Sequence, residues 1–383
     1  MRMEPIEKMF FPGRHVRTKY PFGTGTVVFL WAMLMPALSF CQDAPLIPAA
    51  QIPSLLSTIR GVDHLTFCDE PAPLDDPSIR ERFEKELLLI LWNRPQVILW
   101  IKRSSRYFPY IEKILKENGL PDDFKYMVVA ESALRPHARS GKSAVGIWQF
   151  IKSTGKKYGL RIDKKIDERR SLLAATRAAT QYLRDLHDMF GTWTLSAAAY
   201  NMGEQGLASE ILIQQTDDYY HLYLPLETQR YLFRILAIKL ILEAPKAYGF
   251  AVTETDLYPP IVADPVSISR VEETPVQLLA IAANTSFKTI KDLNPQIRGH
   301  YLVSGTHTLL IPRDTAGGFA RRLEKQAAKP ASKSQRRVYI VRKGDTLTRI
   351  AKQFNVPLPA VLIWNHLNYR KPIYPGDRLM IYP

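Results

Sequence analysis

The sequence predicts an α+β fold in which a mostly helical domain over residues 80–250 precedes two small βααβ modules. Apolar residues recur three and four positions apart through the helical part, and few strand patterns interrupt them. The C-terminal part contains an internal repeat, because one constant shift aligns Asn294 with Asn365 and Gly305 with Gly376. A repeat of this kind indicates two copies of one small folded unit. With 383 residues, the chain is long enough for two or three domains with sizeable cores.

The N-terminal segment is typical of an export signal. Basic residues precede an apolar run over residues 27–40, which has about the length of a signal-peptide core and is short for a membrane span. We expect residues 1–41 to be a signal peptide that is cleaved near Cys41. The alternatives are a lipidated N-terminal Cys41 and an uncleaved N-terminal anchor. All three place the protein outside the cytoplasm, and membrane attachment is left open.

Residues 42–79 contain frequent prolines without a sustained apolar period, and we predict an exposed linker there.

Composition limits the classes of partner. The net charge of +15 and the pI near 9.6 favour an anionic polymer or surface as partner. No nucleic-acid-binding motif accompanies the charge, so the sequence does not predict DNA or RNA binding. Cys41 and Cys68 are the only cysteines and lack the spacing of metal ligands, so no metal site is predicted.

Several helices are predicted within the helical domain. Helical periodicity begins at Arg80, is predicted to break near Pro95, and resumes over residues 107–115. Later helices are predicted over residues 172–186 and 193–201. Three consecutive alanines in the last of these would let a neighbouring helix approach closely.

Glu131 is the candidate acid catalyst. It lies seven residues after Phe124 and four after Met127, so helical spacing places its carboxyl group on an apolar face. The helix should end near Arg135, because Pro136 disfavours helical geometry there. Burial and the negative end of the helix dipole both disfavour the ionised carboxylate. A carboxyl group protonated near neutral pH is what a general acid needs, although a buried glutamate paired with a cation is the commoner case.

A second catalytic carboxylate is harder to identify. Acid catalysts often work with a second carboxylate, and the nearest candidates beyond Glu131 are Asp163, Asp167 and Glu168. These acids alternate with lysines and arginines, so we interpret the segment as a solvated charged turn.

Several motifs follow Glu131 in a definite order. Ser132 comes directly after it, then Gly146-Ile147-Trp148-Gln149-Phe150, then Ala199-Tyr200-Asn201, and finally the segment 224–231. Each motif alone is weak, but the ordered set resembles the lytic transglycosylase family of the lysozyme superfamily. The resemblance implies a lysozyme-like domain with Glu131 as catalytic acid. It also implies substrate contacts from six residues: Ser132, Ser140, Gln149, Tyr200, Asn201 and Tyr231.

Some of these residues have a structural alternative. Ser132 could instead position Glu131 or cap the end of its helix, and we favour the cap. Tyr200 and Asn201 could also form a helix C-cap, and both of their roles can hold at once. Tyr231 is as readily a buried tyrosine with a satisfied hydroxyl. Ser143 departs from the family, which commonly has glycine at this position. That departure costs the loop conformational freedom but removes no reactive group.

The resemblance also implies a reaction. It is the non-hydrolytic cleavage of the β-1,4 bond between N-acetylmuramic acid and N-acetylglucosamine, which gives 1,6-anhydromuramoyl products without a metal or cofactor. The implied partner is the peptidoglycan glycan strand and the implied location is the periplasm or cell envelope, while the oligomeric state is left open. The alternatives are a hydrolytic muramidase, in which Asp163 or Asp167 holds the water, and a non-catalytic peptidoglycan-binding protein.

The C-terminal repeat has motifs of its own. Residues 338–383 contain Gly344-Asp345-Thr346-Leu347 and a later Asn365, which resemble the LysM module, a βααβ unit that binds N-acetylglucosamine polymers. The resemblance implies glycan binding by Gly344, Asp345, Thr346 and Asn365. Residues 260–313 are a degenerate copy without the Gly-Asp-Thr-Leu motif, and we expect a structural spacer there. Residues 314–337 are rich in basic residues, alanine, serine and proline, which predicts a flexible basic linker.

Overall fold

The computed structural model describes residues 53–328, 337–365, 367 and 372–381, and the predictions for residues 1–41 lie outside these ranges. The helices in them are α1 (Leu55–Arg60), α2 (Pro77–Trp92), α3 (Arg94–Glu117), α4 (Phe124–Ser132), α5 (Lys152–Lys157), α6 (Leu172–Phe190), α7 (Trp193–Met202), α8 (Glu204–Gln214), α9 (Leu226–Glu243), α10 (Val276–Ala282), α11 (Phe287–Leu293), α12 (Phe319–Ala328), α13 (Leu347–Gln353) and α14 (Leu358–Trp364). The strands are β1 (Thr66–Phe67), β2 (Glu70–Pro71), β3 (Ala263–Arg270), β4 (Thr274–Pro275), β5 (Tyr301–Leu302), β6 (Gly305–Pro312), β7 (Arg337–Ile340) and β8 (Arg378–Ile381). Within these ranges, no helix is both long enough and apolar enough to cross a membrane.

Helix α9 lies at the centre of the helical domain and packs against α2, α4 and α7. Its Leu232, Phe233 and Leu236 are completely buried, and burial of each such side chain stabilises the fold by about 1.5–3 kcal/mol. Helix α7 also packs against α6, and its consecutive alanines Ala197 and Ala198 are buried at the contacts. The close approach predicted from these alanines is confirmed.

Helix α3 corrects the predicted break in the helical pattern. Only Asn93 separates α2 from α3, and α3 then runs without interruption from Arg94 to Glu117. Pro95 lies in the first turn of α3, where a missing backbone N–H removes no helical hydrogen bond. The proline therefore starts this helix, and the predicted gap between Pro95 and residue 107 is wrong.

The described part of the predicted Pro-rich linker is folded. Residues 53–79 form α1, the β1–β2 hairpin and the beginning of α2. Phe67 and Leu74 are fully buried, and the Phe67 ring packs edge-on against Phe124 with 5.5 Å between the ring centroids. These apolar anchors override the proline content, so the exposed-linker prediction is wrong from residue 53 onward.

The two C-terminal modules have the predicted βααβ order. In the first, β3 and β6 are antiparallel partners around α10 and α11; in the second, β7 and β8 are partners around α13 and α14. Asn294 and Asn365 make the same contacts in their respective modules. Each side-chain amide donates to a carbonyl of the preceding helix and to the closing strand, at Leu310 and Met380, and accepts from that strand's N–H. The α+β fold and the internal repeat are confirmed.

Helix α12 occupies much of the predicted basic linker. Phe319 and Leu323 are 2% exposed and belong to the core of the first module, and the Arg322 guanidinium donates to a carbonyl at the end of α10 over 2.7 Å. The basic side chains alternate with this apolar pair on one amphipathic helix. Residues 319–328 are therefore part of the first module, which corrects the prediction of a flexible linker over 314–337.

The first module is docked on the helical domain. Ile166, from a loop of the helical domain, is buried in the core of the module. On either side of it, the Asp167 N–H donates to the Gln296 carbonyl and the Arg298 N–H donates to the Lys165 carbonyl, each over 2.9 Å. Backbone hydrogen bonds and an inserted apolar side chain thus join the two parts.

The docked edge includes the place where the first module lacks the Gly-Asp-Thr-Leu motif. Glu273, at the beginning of that segment, forms an ion pair with Lys165 of the helical domain. At another point of contact, the Tyr110 hydroxyl donates to the carbonyl of Ala263 over 2.9 Å. This degenerate edge faces protein, which fits the expected structural spacer.

Candidate active site

Glu131 lies one residue before the end of α4. The helix ends at Ser132 because Ala133 and Leu134 both adopt the left-handed conformation, with φ of 53° and 57°. The Arg103 guanidinium donates to the Ala133 carbonyl over 3.0 Å and holds this turn. The helix therefore ends three residues before the predicted stop at Arg135.

The end of α4, the loop over residues 138–150, α7 and the start of α9 surround a groove of about 940 Å³. Its lining is mixed, with apolar, hydroxyl and amide side chains beside several charged ones. The groove brings together six of the seven predicted site residues of this domain: Glu131, Ser140, Gln149, Tyr200, Asn201 and Tyr231.

Glu131 is held as a weak acid. Burial raises the pKa of its carboxyl group to about 7, against the opposing effects of a hydrogen bond from Tyr231 and the charge of Arg234. The Tyr231 hydroxyl donates to Glu131 Oε1. Among the described residues, no lysine or arginine forms an ion pair with Glu131. The alternative of a glutamate neutralised by a buried cation therefore does not apply to the described part of the chain.

Tyr200 and Asn201 line the groove and also hold its wall. The Tyr200 hydroxyl donates to the Trp148 carbonyl over 2.7 Å, and Asn201 Oδ1 accepts from the Thr228 hydroxyl over 2.9 Å. Tyr231 is 2% exposed and bonds to Glu131. The structural and the substrate-facing roles of these residues are thus compatible in one geometry.

The loop over residues 138–150 forms the opposite wall. Gly146 has φ of +90°, and a Cβ built on it would lie 1.6 Å from the Arg169 carbonyl oxygen, so only glycine fits there. Gln149 is left-handed, with φ of 49°, and donates through Nε2 to the Gly146 carbonyl over 2.7 Å. Ser140 accepts from the Ala144 N–H over 3.1 Å. Local hydrogen bonds therefore fix the two predicted sugar ligands of this loop.

Ser143, the departure from the family pattern, has φ of 63°. Glycine adopts that conformation without steric cost and serine does not, which explains the glycine that the family commonly has. Trp148 is fully buried, and its Nε1 donates to the Thr176 hydroxyl over 2.9 Å. It is a core residue behind the groove wall.

Ser132 is not brought into the groove. It is 2% exposed, its hydroxyl donates to the Val128 carbonyl over 3.3 Å, and it accepts from the Arg135 N–H over the same distance. The side chain points back along α4 because the helix ends there. This geometry supports the alternative role at the helix end over a contact with substrate.

The acidic segment after the groove loop is only partly a solvated turn. Asp163 is exposed and accepts from the backbone N–H groups of Lys165 and Ile166. Asp167, however, is 4% exposed and bonds both carboxylate oxygens to Arg169, over 2.8 and 2.9 Å. The prediction of a solvated turn is therefore wrong for Asp167. Neither aspartate lines the groove, so neither fits the water-holding role of the hydrolytic alternative.

The buried Asp167–Arg169 pair holds the groove loop from behind. Arg169 Nη1 donates to the carbonyls of Ser143 and Phe150, each over 3.2 Å. The Asp167 N–H is in turn bonded to Gln296 of the first module. A continuous chain of hydrogen bonds thus runs from that module to the wall of the groove.

Two further carboxylates line the groove that the sequence interpretation did not place there. Glu204 accepts from the Tyr182 hydroxyl over 2.9 Å and lies 3.3 Å from the Lys157 ammonium; hydrogen bonds, including one from its own N–H, lower its pKa. A hydrogen bond from Arg234, over 2.9 Å, lowers the pKa of Glu227. The pKa shifts of these two carboxyl groups are thus opposite in direction to that of Glu131. In the sequence, the only indication that Glu204 lies near the groove was its position directly after Gly203, at the start of a helix.

The predicted glycan ligands of the second module are divided between an exposed turn and its framework. Gly344 has φ of +88°, Asp345 accepts from the Tyr339 hydroxyl over 2.7 Å, and the Thr346 hydroxyl caps α13 by accepting from Arg349 N–H. Among the described residues, the Asn365 amide bonds to backbone groups of its own module. Asn365 thus has a structural role, and its assignment as a glycan ligand stays a prediction.

Across the described ranges, no group of three or more histidine, cysteine or acidic side chains is arranged to hold a metal ion. Cys68 is a buried free thiol, and burial raises its pKa far above the ordinary value.

Comparisons with known proteins agree with the motifs. Residues 108–222 match the family model described as the transglycosylase SLT domain, and residues 339–381 match the LysM domain. Membrane-bound lytic murein transglycosylase D of Escherichia coli (strain K12) is 33% identical over 296 residues, which cover 73% of this chain and 64% of that protein. The chain therefore spans less than two thirds of the length of this relative.

Two other similarities are more local. Peptidoglycan transglycosylase gp16 of Escherichia phage T7 is 36% identical over 108 residues, which cover 27% of this chain and 8% of that protein. A solved structure of an inactive mutant of lytic transglycosylase Slt from Pseudomonas aeruginosa is 22% identical and covers 39% of this chain and 26% of that chain, with a TM-score of 0.28.

Proposed function

The chain carries a transglycosylase SLT domain and a C-terminal LysM domain, and from this premise we propose that it is a peptidoglycan lytic transglycosylase that binds the cell wall. The observation that carries the proposal is Glu131, a carboxyl group with a pKa of about 7 that lines a large groove and accepts a hydrogen bond from Tyr231. An acid with such a pKa is protonated in a substantial fraction of molecules at neutral pH. It can therefore give a proton to a leaving oxygen.

The proposed reaction uses one carboxyl group twice. Glu131 first protonates the glycosidic oxygen between N-acetylmuramic acid and N-acetylglucosamine, and the bond from that oxygen to C1 breaks. The acetamido group of the muramic acid stabilises the cationic C1. The ionised Glu131 then takes the proton of the C6 hydroxyl, whose oxygen bonds to C1 and closes the 1,6-anhydro ring. Glu131 ends protonated as it began, and water is not consumed.

The other groove residues would position the sugar. Ser140, Gln149, Tyr200 and Asn201 lie on the groove walls, each held by hydrogen bonds to neighbouring residues. Preorganised polar groups of this kind bind a substrate without reorganising during the reaction. Tyr231 would orient the Glu131 carboxyl group.

The second module would bind the glycan through the exposed turn at Gly344, Asp345 and Thr346. Because peptidoglycan lies outside the cytoplasm, we propose that the protein acts in the periplasm or cell envelope. Attachment to a membrane stays a prediction from residues 1–41.

Hydrolysis is the second candidate reaction, and one observation favours it. Glu204 and Glu227 are ionised carboxylates within the groove, and such a group can activate water. Both are engaged by cations, Lys157 and Arg234, which lowers their basicity. We therefore rank the ring-closing reaction first.

Mass spectrometry of purified sacculi digested with the full chain tests the proposal. Anhydromuropeptides are expected, whereas reducing ends would indicate the hydrolase. The Glu131→Gln variant should lose digestion and keep wall binding, since Gln retains the shape but cannot donate the proton. Continued digestion by this variant would remove Glu131 from its role, and a wild-type chain that only binds sacculi would leave a wall-binding protein.

A further inference from the structure

A cluster of arginines lies where the helical domain meets the first module. Arg139 and Arg170 come from the helical domain and Arg298 from the module, whose backbone docks on residue 165. Arg139 and Arg298 are exposed, and Arg170 is half-buried between the domains. None of these three arginines lines the groove.

The positive charge of the Arg170 guanidinium is only partly balanced by a carboxylate, and one of its N–H donors has no acceptor among the described residues. Its Nη1 lies 3.0 Å from Nδ1 of His137, and the nearest carboxylate oxygen, on Asp167, is 3.8 Å from its Nε. Among the described residues, this buried Nε–H has no hydrogen-bond acceptor. Asp167 itself already bonds to Arg169, so its charge is shared.

The electrostatics of the cluster point the same way. Burial lowers the pKa of Arg170, and the positive charges of Arg298 and Arg139 lower it further against the opposing effect of Asp167. Burial and the charge of Arg170 lower the pKa of His137, so this ring is neutral and can accept from the guanidinium. The acids that act on this surface are Asp167, beside Arg170, and Asp292, near His137, against the three arginines of the cluster.

The cluster is close to the groove along the chain and in space. Arg139 forms an antiparallel bridge with Val145, while their neighbours Ser140 and Ala144 line the groove. The backbone N–H of Arg170 also lies against Gly146, in the same loop. An extended peptide advances about 3.3–3.6 Å per residue, so a four-residue chain attached to a sugar in the groove spans roughly 14 Å. That length allows its far end to leave the groove over this loop.

We propose that Arg139, Arg170 and Arg298 form a carboxylate-binding site for the acidic peptide stems attached to muramic acid, so that the protein prefers peptide-bearing over naked glycan strands. Planar guanidinium groups suit carboxylates because they bond in a bidentate manner. The inference rests on the proposed function, since the stem enters attached to the groove substrate. It also gives the first module a role, because that module supplies Arg298.

Turnover of two substrates tests the site: glycan strands with tetrapeptide stems, and the same strands stripped of peptides by an amidase. For each variant, kcat/KM on peptide-bearing strands is divided by that on stripped strands. Arg170→Gln and Arg298→Glu should each lower this ratio roughly ten-fold, the value of one charge-assisted hydrogen bond. Arg313→Glu is the matched control, because Arg313 is an exposed arginine of the same module outside the cluster. Its ratio should equal that of the wild type.

Other outcomes would overturn the proposal. They are a wild-type protein that turns over both strands equally, or an Arg298→Glu ratio equal to that of Arg313→Glu. Fluorescence anisotropy with a labelled tetrapeptide stem provides a readout that does not need turnover, so failure of the proposed function and failure of this site can be separated. The free stem should compete for binding and an equal concentration of inorganic phosphate should not; equal competition would indicate an unselective anion site.

Discussion

The Tyr231 hydroxyl donates a hydrogen bond to Oε1 of Glu131, although 100 residues separate them in the chain. Helix α9 carries the donor and the end of α4 carries the acceptor, and both side chains face the groove. The bond favours the ionised carboxylate, whereas burial favours the protonated one. The acidity of Glu131 is thus a balance between two neighbouring effects, and each can be altered separately.

Removing the Tyr231 hydroxyl should change that balance. In Tyr231→Phe, the ionised carboxylate loses a hydrogen bond, so the pKa of Glu131 should rise and the basic limb of the pH–rate profile should move up by about one pH unit. Tyr219→Phe is the control, since Tyr219 is equally buried but bonds to backbone carbonyls of α9. An unmoved limb in Tyr231→Phe would exclude Glu131 as the titrating acid.

Glu131 should destabilise the fold at high pH. Its pKa is about 7 when folded and about 4.3 when unfolded, so between these values the folded state binds more protons and the unfolding free energy falls as pH rises. Glu131→Gln escapes this loss. In urea unfolding, the variant should match the parent near pH 4 and exceed it above pH 7 by up to roughly 3 kcal/mol.

The control for this titration has the opposite sign. The pKa of Glu227 is lowered in the fold by its bond to Arg234, so its stabilisation is present above the unfolded pKa and is lost as pH falls. Glu227→Gln should therefore be less stable than the parent at pH 8 and similar near pH 3. The same direction of change in both variants would contradict the assigned environments.

Gly146 should not tolerate a methyl group. A Cβ at this position meets the Arg169 carbonyl oxygen at 1.6 Å, and the backbone has φ of +90°. Gly146→Ala should lower the unfolding free energy by about 3 kcal/mol or more, since strain and overpacking add. Gly141→Ala is the matched control in the same loop, where nothing lies within 4 Å of the added carbon. Thermal unfolding of the two variants measures the difference.

Asp167 should matter more than its neighbour Asp163. Asp167→Ala leaves the Arg169 guanidinium buried without its carboxylate, and removal of one partner of a buried pair costs about 3–5 kcal/mol. Asp163→Ala, at an exposed position of the same segment, should cost less than about 1 kcal/mol. Amide exchange should also become faster over residues 143–150 in Asp167→Ala. Equal effects of the two changes would argue against a buried brace.

Asn365 should act on stability and not directly on sugar binding. Asn365→Ala removes three hydrogen bonds to the backbone of the second module, a loss of roughly 1 kcal/mol each. Its thermal transition should fall, while binding of an N-acetylglucosamine oligomer at low temperature stays near the wild-type value. Weaker binding with unchanged stability would support the glycan-ligand prediction.

Much of this architecture could be predicted, because the strongest signals are local. Helical spacing placed Glu131 on an apolar face, and the repeat of Asn294 at Asn365 predicted two modules with one topology. The ordered motifs predicted substrate contacts for Gln149, Tyr200 and Asn201, and these three residues line one groove. In each case, the pattern lies within a short stretch, or in the order of a few stretches.

Several other features depended on packing that composition does not show. The burial of Phe67 depends on Phe124, and the burial of Asp167 depends on Arg169 within a turn that the first module covers. From composition alone, the predictions were a linker around Phe67 and a solvated turn around Asp167. Glu204 reached the groove through the packing of α8 beside α7, which no periodicity in the sequence reveals.

The insertion of Ile166 into the core of the first module determines where the polypeptide can be cut. A fragment that stops at residue 250 would expose the Ile166 side chain to solvent. The carbonyl of Lys165 and the N–H of Asp167 would also lose their hydrogen-bond partners in the module. A fragment that stops at residue 313 would lack α12, whose Phe319 and Leu323 belong to the core of the first module. A fragment that keeps the groove and this docked module intact should therefore extend to Ala328.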